Sequence, residues 1–326
     1  MKLREQFESY ERFGVVPILG YAGLQAAGLT AQQCFNQPEL HAQLVRSNLK
    51  QFAPDAVLSL MDLTVEAECY GVHPLFKDYE PPEIRTHISL DDAVSHERSR
   101  SEAVRMSSMI EAAKLMSKQE NASTGFFITG PFTLAGQIIG LQQLFLGMIR
   151  APNLVQALVE SCTKTVEDYA KQLSEAGIDF FVLADMSSSL ISPKQFEEIA
   201  GPSMNRVARA VSNDVVLHIC GRVTHLLKQM GETGVAAISV DQNVPLMDAI
   251  SAMPSGVLVF GNYSPTNLAV ETVEAIEANV ARMLAPVGNK RLVASTGCDI
   301  PSSTPPRNIQ AFVQSVKSHK RPIFDA

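Results

Sequence analysis

At 326 residues the chain is long for one domain but within the range of barrels built from alternating strands and helices. A hydrophobic fraction of 46 % allows a sizeable core, and a net charge of -7 argues against nucleic acid or an anionic membrane as the main partner. The five cysteines, at 34, 69, 162, 220 and 298, form no disulfide framework, and Met1 to Gln6 carries no apolar signal core. The expectation is a cytoplasmic protein of a reducing compartment. The most apolar segment, Phe132 to Ile149, is broken by Gln137, Gln142 and Gln143, which argues against a membrane span.

Two patterns alternate along the sequence. Short runs rich in Val, Ile, Leu and Phe predict buried strands at 15–19, 56–61, 125–129, 179–184, 214–219, 236–240, 257–261 and 291–295. Helical periodicity falls between them at 38–52, 101–119, 152–176, 193–211, 224–231, 245–252, 271–285 and 305–318. Pro38, Pro152, Pro193 and Pro306 stand where first helical turns belong, with Ser192 as a cap. Residues 72–100 read as a long connection able to cover one mouth. Eight strands alternating with helices predict a single-domain (β/α)8 TIM barrel over 1–326, its active site at the C-terminal rim of the strands.

The polar residues just past these strands are therefore the candidate site. Asp62 follows the second strand, Thr129 ends the third and Asp185 follows the fourth. His218 and Cys220 end the fifth, Asp241 follows the sixth, Asn262 the seventh and Cys298 the eighth. A strand points alternate side chains the same way, so His218 and Cys220 share a face. With Cys298 they make one imidazole and two thiolates, a neutral set around Zn²⁺ with an open fourth position of the catalytic kind. Such a centre keeps a bound thiol electron-rich and nucleophilic, and it suits alkylation of sulfur better than hydrolysis.

The remaining candidates carry two readings each. Asp62, Glu66 and Asp185 are either proton acceptors, one of them a fourth ligand, or helix caps and turn formers. Arg222 is a candidate anchor for an anionic substrate tail, or a solvated surface charge. Asn262 and Asp241 either bind substrate or shape turns. Cys34, Cys69 and Cys162 read as small core residues. His41, His73, His87, His96 and His319 fall in loop-like or helical-surface settings, and His225 sits at a helix start.

Several of these segments together resemble the uroporphyrinogen decarboxylase superfamily, within it the zinc-dependent methylcobamide:coenzyme M methyltransferase branch. The marks are Asp62 to Glu68 with Gly71, Thr129 to Ala135, His218 to Gly221, Ala237 to Asp241, Gly261-Asn262 and Gly297 to Pro301. The resemblance implies a (β/α)8 barrel, zinc on His218, Cys220 and Cys298, and methyl transfer between a corrinoid on a partner protein and a small acceptor such as the thiol of coenzyme M. Methylcobalamin or a related corrinoid would be the co-substrate. The decarboxylase branch grips porphyrinogen carboxylates with an arginine-rich N-terminal segment, whereas Val16 to Gln25 here contains no arginine. Arg222 and Arg307 also depart from the coenzyme M pattern, which leaves open transfer from a methoxy or methylamine-type donor to the corrinoid. A decarboxylase and a non-catalytic, zinc-stabilised partner of a corrinoid protein are the further alternatives.

Overall fold

The computed structural model describes residues 2–95, 104–118, 122–288 and 291–320. Eight parallel strands form one sheet: β1 (Gly14–Val15), β2 (Ala56–Leu58), β3 (Ser123–Thr129), β4 (Phe180–Ala184), β5 (Asp214–Ile219), β6 (Ala237–Val240), β7 (Leu258–Tyr263) and β8 (Leu292–Thr296). Their spatial order, β1-β8-β7-β6-β5-β4-β3-β2, nearly closes a barrel of the expected class. At the seam the Asp55 backbone N–H donates to the Val15 carbonyl at 2.9 Å, while the Asp55 carboxylate accepts from the Val15 N–H at 2.8 Å. Arg12 holds that carboxylate with two bonds of 2.8 and 2.7 Å. A side chain thus completes what the backbone ladder leaves unfinished.

The first two strands are shorter than their apolar runs, for local reasons. β1 ends at Val15: past Pro17 the Ile18 N–H donates to the Thr296 hydroxyl and not to a backbone carbonyl of β8, and Pro17 has no N–H to offer on the β2 side. After Leu58 the Phe127 N–H bonds the Ser59 hydroxyl, and the Leu60 N–H bonds Nε2 of His41. His41 is fully buried, not on a helical surface as expected. Burial lowers its pKa to about 4, so it stays neutral and serves as an acceptor in place of a strand.

Side-chain alternation sorts the core into two layers. Phe127, Phe180, Val182, Val216, Leu258, Phe260 and Val293 fill the barrel, while Phe126, Phe181, Leu217, Ile238, Val259 and Leu292 pack under the helices. A helix that periodicity missed, Leu3–Glu8, plugs the N-terminal end. Its Phe7 is fully buried against the edge of Phe260. The Leu3 N–H donates to the Asp214 carboxylate at 2.7 Å, and Gln6 accepts from Ser123 at 2.8 Å.

The prolines start their helices as expected, and Ser192 caps Pro193–Gln195. The predicted helix 193–211 is interrupted by a π segment, Phe196–Ala200, where Pro202 cannot donate to the preceding turn. The apolar segment after β3 forms two helices, Pro131–Ile139 and Leu141–Arg150, bent by 104°. Among the described residues no single helix is long and apolar enough to cross a membrane. The long connection contains a small antiparallel ribbon, Pro74–Leu75 with Glu83–Ile84, and a helix, Leu90–Ser95. His96, with the rest of 96–103 and residue 119, lies outside the described residues.

Candidate metal centre at the barrel mouth

On β5 the inward phase runs Val216, His218 and then Cys220, as alternation requires. On β8 it runs Val293 and Ser295 to Gly297, so continued alternation would turn Cys298 outward. The strand ends at Thr296, and the chain bends at Gly297, where a side chain would collide with the Gln242 backbone nitrogen at 2.4 Å. That bend brings Cys298 back to the mouth. Its sulfur lies 3.1 Å from Cys220 Sγ, which is 2.8 Å from His218 Nε2. All three donor atoms fall within 4.8 Å of one another. The other ring nitrogen of His218 is 2.9 Å from the Ser239 hydroxyl on β6.

Residues and cation can be matched by size and chemistry. A tetrahedral zinc site with sulfur at ~2.3 Å and nitrogen at ~2.1 Å separates its donors by about 3.5–3.8 Å. Moving Cys220 Sγ less than about 1 Å away from His218 Nε2 and from Cys298 Sγ reaches that spacing, well within side-chain rotation. The donor set of one imidazole and two sulfurs suits zinc. The contact between the two sulfurs, with His218 beside them, lowers the pKa of Cys298 and raises that of Cys220. Among the described residues no carboxylate joins this group as a fourth ligand.

Comparison with known proteins follows the same lines. A family model described as uroporphyrinogen decarboxylase (URO-D) matches residues 8–319. The chain belongs to the uroporphyrinogen decarboxylase family. A relative from Methanosarcina mazei, methylcobamide:CoM methyltransferase MtbA, is 31 % identical over 310 residues, covering 91 % of this chain and 89 % of its own. A uroporphyrinogen decarboxylase from Prochlorococcus marinus is 24 % identical, covering 86 % of this chain and 84 % of its own. The solved structure of a methyltransferase from Methanosarcina mazei superposes with a TM-score of 0.88 at 23 % identity, covering 96 % of each chain.

In this uroporphyrinogen decarboxylase-family barrel, three carboxylates expected to manage protons are bound to protein groups. Asp62 is ion-paired with Arg105 and accepts from the Thr64 N–H and hydroxyl at 2.9 and 2.7 Å. Arg105 also reaches Glu68 at 2.7 Å and the Thr64 hydroxyl at 3.0 Å, with its guanidinium over the Phe76 ring. Glu66 accepts from the backbone N–H and hydroxyl of Thr129, both at 2.8 Å. Burial outweighs those bonds and raises its pKa to about 7.

Asp185 follows Ala184, an inward residue of β4, and so takes the outward phase. It accepts from the Phe132 and Thr133 N–H groups and from the Thr133 and Ser188 hydroxyls, at 2.8 to 3.1 Å. It is a helix cap, one of the two roles expected of it, but for the helix after β3 instead of its own. Gly130 permits the approach: a side chain there would lie 2.2 Å from a carboxylate oxygen. Burial raises the Asp185 pKa to about 6.

Asn262 donates its amide to the carbonyls of Asp241 and Val244 at 3.0 and 2.6 Å, which shapes the turn after β6. Asp241, on the inward phase, accepts from Asn243 with Oδ1 and is near enough to Cys220 to raise its thiol further. Arg222 is exposed beyond Cys220. His225 is also exposed, with Nε2 3.1 Å from the Ile191 carbonyl. His73 and His87 are exposed and His319 is half-buried, all three apart from the cysteine pair.

Three residues of this region were passed over in the sequence. Ser239 lies two before Asp241, so the alternation that pairs His218 with Cys220 also marks it as inward. Arg105 carried no signal, since only the fold brings it to Asp62. Asp299 lies against Gly20 with both carboxylate oxygens buried and without a partner among the described residues. Burial and the neighbouring Cys298 charge hold its pKa well above the usual carboxylate range.

Proposed function

We propose that the protein is a zinc-dependent methyltransferase that moves a methyl group between a corrinoid and a small acceptor, a thiol of the coenzyme M kind. The observation that carries this reading is the convergence of His218 Nε2 and two cysteine sulfurs, from two distant strand ends, at the C-terminal mouth. The relative called methylcobamide:CoM methyltransferase adds support through likeness over most of both chains. When bound by these three residues, zinc would lower the pKa of an incoming thiol and keep its sulfur nucleophilic.

The chain's own groups supply the surroundings. Asp241 is the strand-end carboxylate on the inward phase; Asn243 occupies its Oδ1, and its other oxygen would take the thiol proton. Arg222 anchors an anionic acceptor tail at the rim, and Asn262 fixes the Asp241 turn. Asp62, Glu66 and Asp185 support the mouth through Arg105, Thr129 and Thr133. The acceptor sulfur then displaces the corrinoid from the methyl carbon: the sulfur–carbon bond forms, the cobalt–carbon bond breaks, and its electron pair stays on cobalt. A partner protein carrying the corrinoid docks over the mouth, in a cytoplasmic setting.

Decarboxylation of a porphyrinogen fits less well. Arg105, the arginine among the buried residues described, is consumed by Asp62 and Glu68 and leaves no buried cation for substrate carboxylates. The test is zinc content of purified protein together with methylcobalamin demethylation by thiols, for wild type, Cys220→Ala and Cys298→Ala. Near-stoichiometric zinc and thiol-dependent conversion of methylcobalamin, both lost in each variant, are expected. Methyl transfer that survives in a zinc-free variant would overturn the proposal.

A further inference from the structure

His218 and Ser239 are opposite partners in the parallel register of β5 and β6, and both are buried. The 2.9 Å contact between His218 Nδ1 and Ser239 Oγ is therefore imposed by the sheet, not by a loop. An imidazole that offers the Nε2 lone pair to a cation must carry its proton on Nδ1. That N–H needs an acceptor where water does not reach, and Ser239 Oγ is the atom in place.

Once it accepts, the serine hydroxyl must send its own hydrogen elsewhere. It faces a narrow interior space of about 10 Å³, walled by Phe180, Val182, Val216 and Phe260, with Ser295 as the second polar group. Ser295 Oγ is buried and has no partner among the described residues. The barrel thus places two hydroxyls around a space that is otherwise apolar, one of them directly behind the candidate metal ligand.

We infer that Ser239 is the positioning residue for His218: it holds the Nδ1–H tautomer and the ring plane, so that Nε2 meets the cation beside Cys220 and Cys298. Ser239 touches neither substrate nor metal; it acts through the imidazole. The inference rests on the zinc reading of the site above.

The test is zinc affinity by competition with a chromophoric chelator, on wild type, Ser239→Ala and Ser239→Thr, each with a thermal melt in the metal-free form. Ser239→Ala should bind zinc about 10–100-fold more weakly while its metal-free melt stays near wild type. Ser239→Thr, which keeps the hydroxyl, should return to within a few-fold of wild type. Wild-type affinity in the alanine variant, or a folded threonine variant as weak as alanine, would overturn the inference while leaving the zinc reading standing. A wild type that takes up no zinc would overturn both.

Discussion

Asp185 accepts hydrogen bonds from both the backbone N–H and the hydroxyl of Thr133, 52 residues earlier, at 3.1 and 2.8 Å. The end of β4 is thereby tied to the helix that starts after its neighbour β3. Asp185→Ala would leave two helix N–H groups and two hydroxyls without their acceptor in a fully buried spot. The expected loss is roughly 2–4 kcal/mol, read as a lower urea midpoint at constant slope. Asp185→Asn keeps an acceptor and should lose clearly less, and Gly130→Ala should resemble the alanine variant by pushing the carboxylate away. An alanine variant as stable as wild type would show that the cap contributes nothing.

Arg105 balances two buried carboxylates, Asp62 and Glu68. Arg105→Met would strand them without a counter-charge, and the cost should be about 3–5 kcal/mol. Adding Asp62→Asn to that variant should recover part of the loss, because the two sites share one interaction. Strict additivity in a double-mutant cycle would count against the pairing.

Glu66 should leave a signature in the pH dependence of stability. Its native pKa of about 7 lies above its ordinary 4.5, so between those values the native state holds a proton that the unfolded chain has released. The contribution of this group therefore falls as pH rises through that window. Glu66→Gln cannot titrate, so its stability relative to wild type should grow across the window, by up to about 3 kcal/mol. Parallel profiles for the two proteins from pH 4.5 to 8 would refute the assignment.

Phe7 seals the base of the barrel, fully buried with its ring edge-on to Phe260 at 6.0 Å. Phe7→Ala should cost about 3–5 kcal/mol by opening a cavity between the first helix and the strands. Chemical denaturation should show the change as one cooperative transition; a loss below 1 kcal/mol would mean that the first helix packs only loosely.

What the sequence revealed follows from which forces are local. Eight strands were readable because each is covered on both faces and so appears as an unbroken apolar run. His218 and Cys220 were readable as a pair because alternation is a property of the strand itself. The same count places Asp185 outward and Ser239 inward, although the chemical appeal of a strand-end carboxylate draws attention to the former. Cys298 reaches the mouth only through the bend at Gly297, and Arg105 meets Asp62 only through tertiary packing. His41 could not be recognised as a strand's bonding partner, because that role depends on where the second strand happens to stop.

With side chains filling its interior and helix Leu3–Glu8 packed across its far end, the barrel is open at one face alone. Anything that visits His218 and the two sulfurs comes and goes over a single lip. Under the proposed function, a bulky donor and a small recipient would have to queue, and crowding by either should slow the traffic of the other.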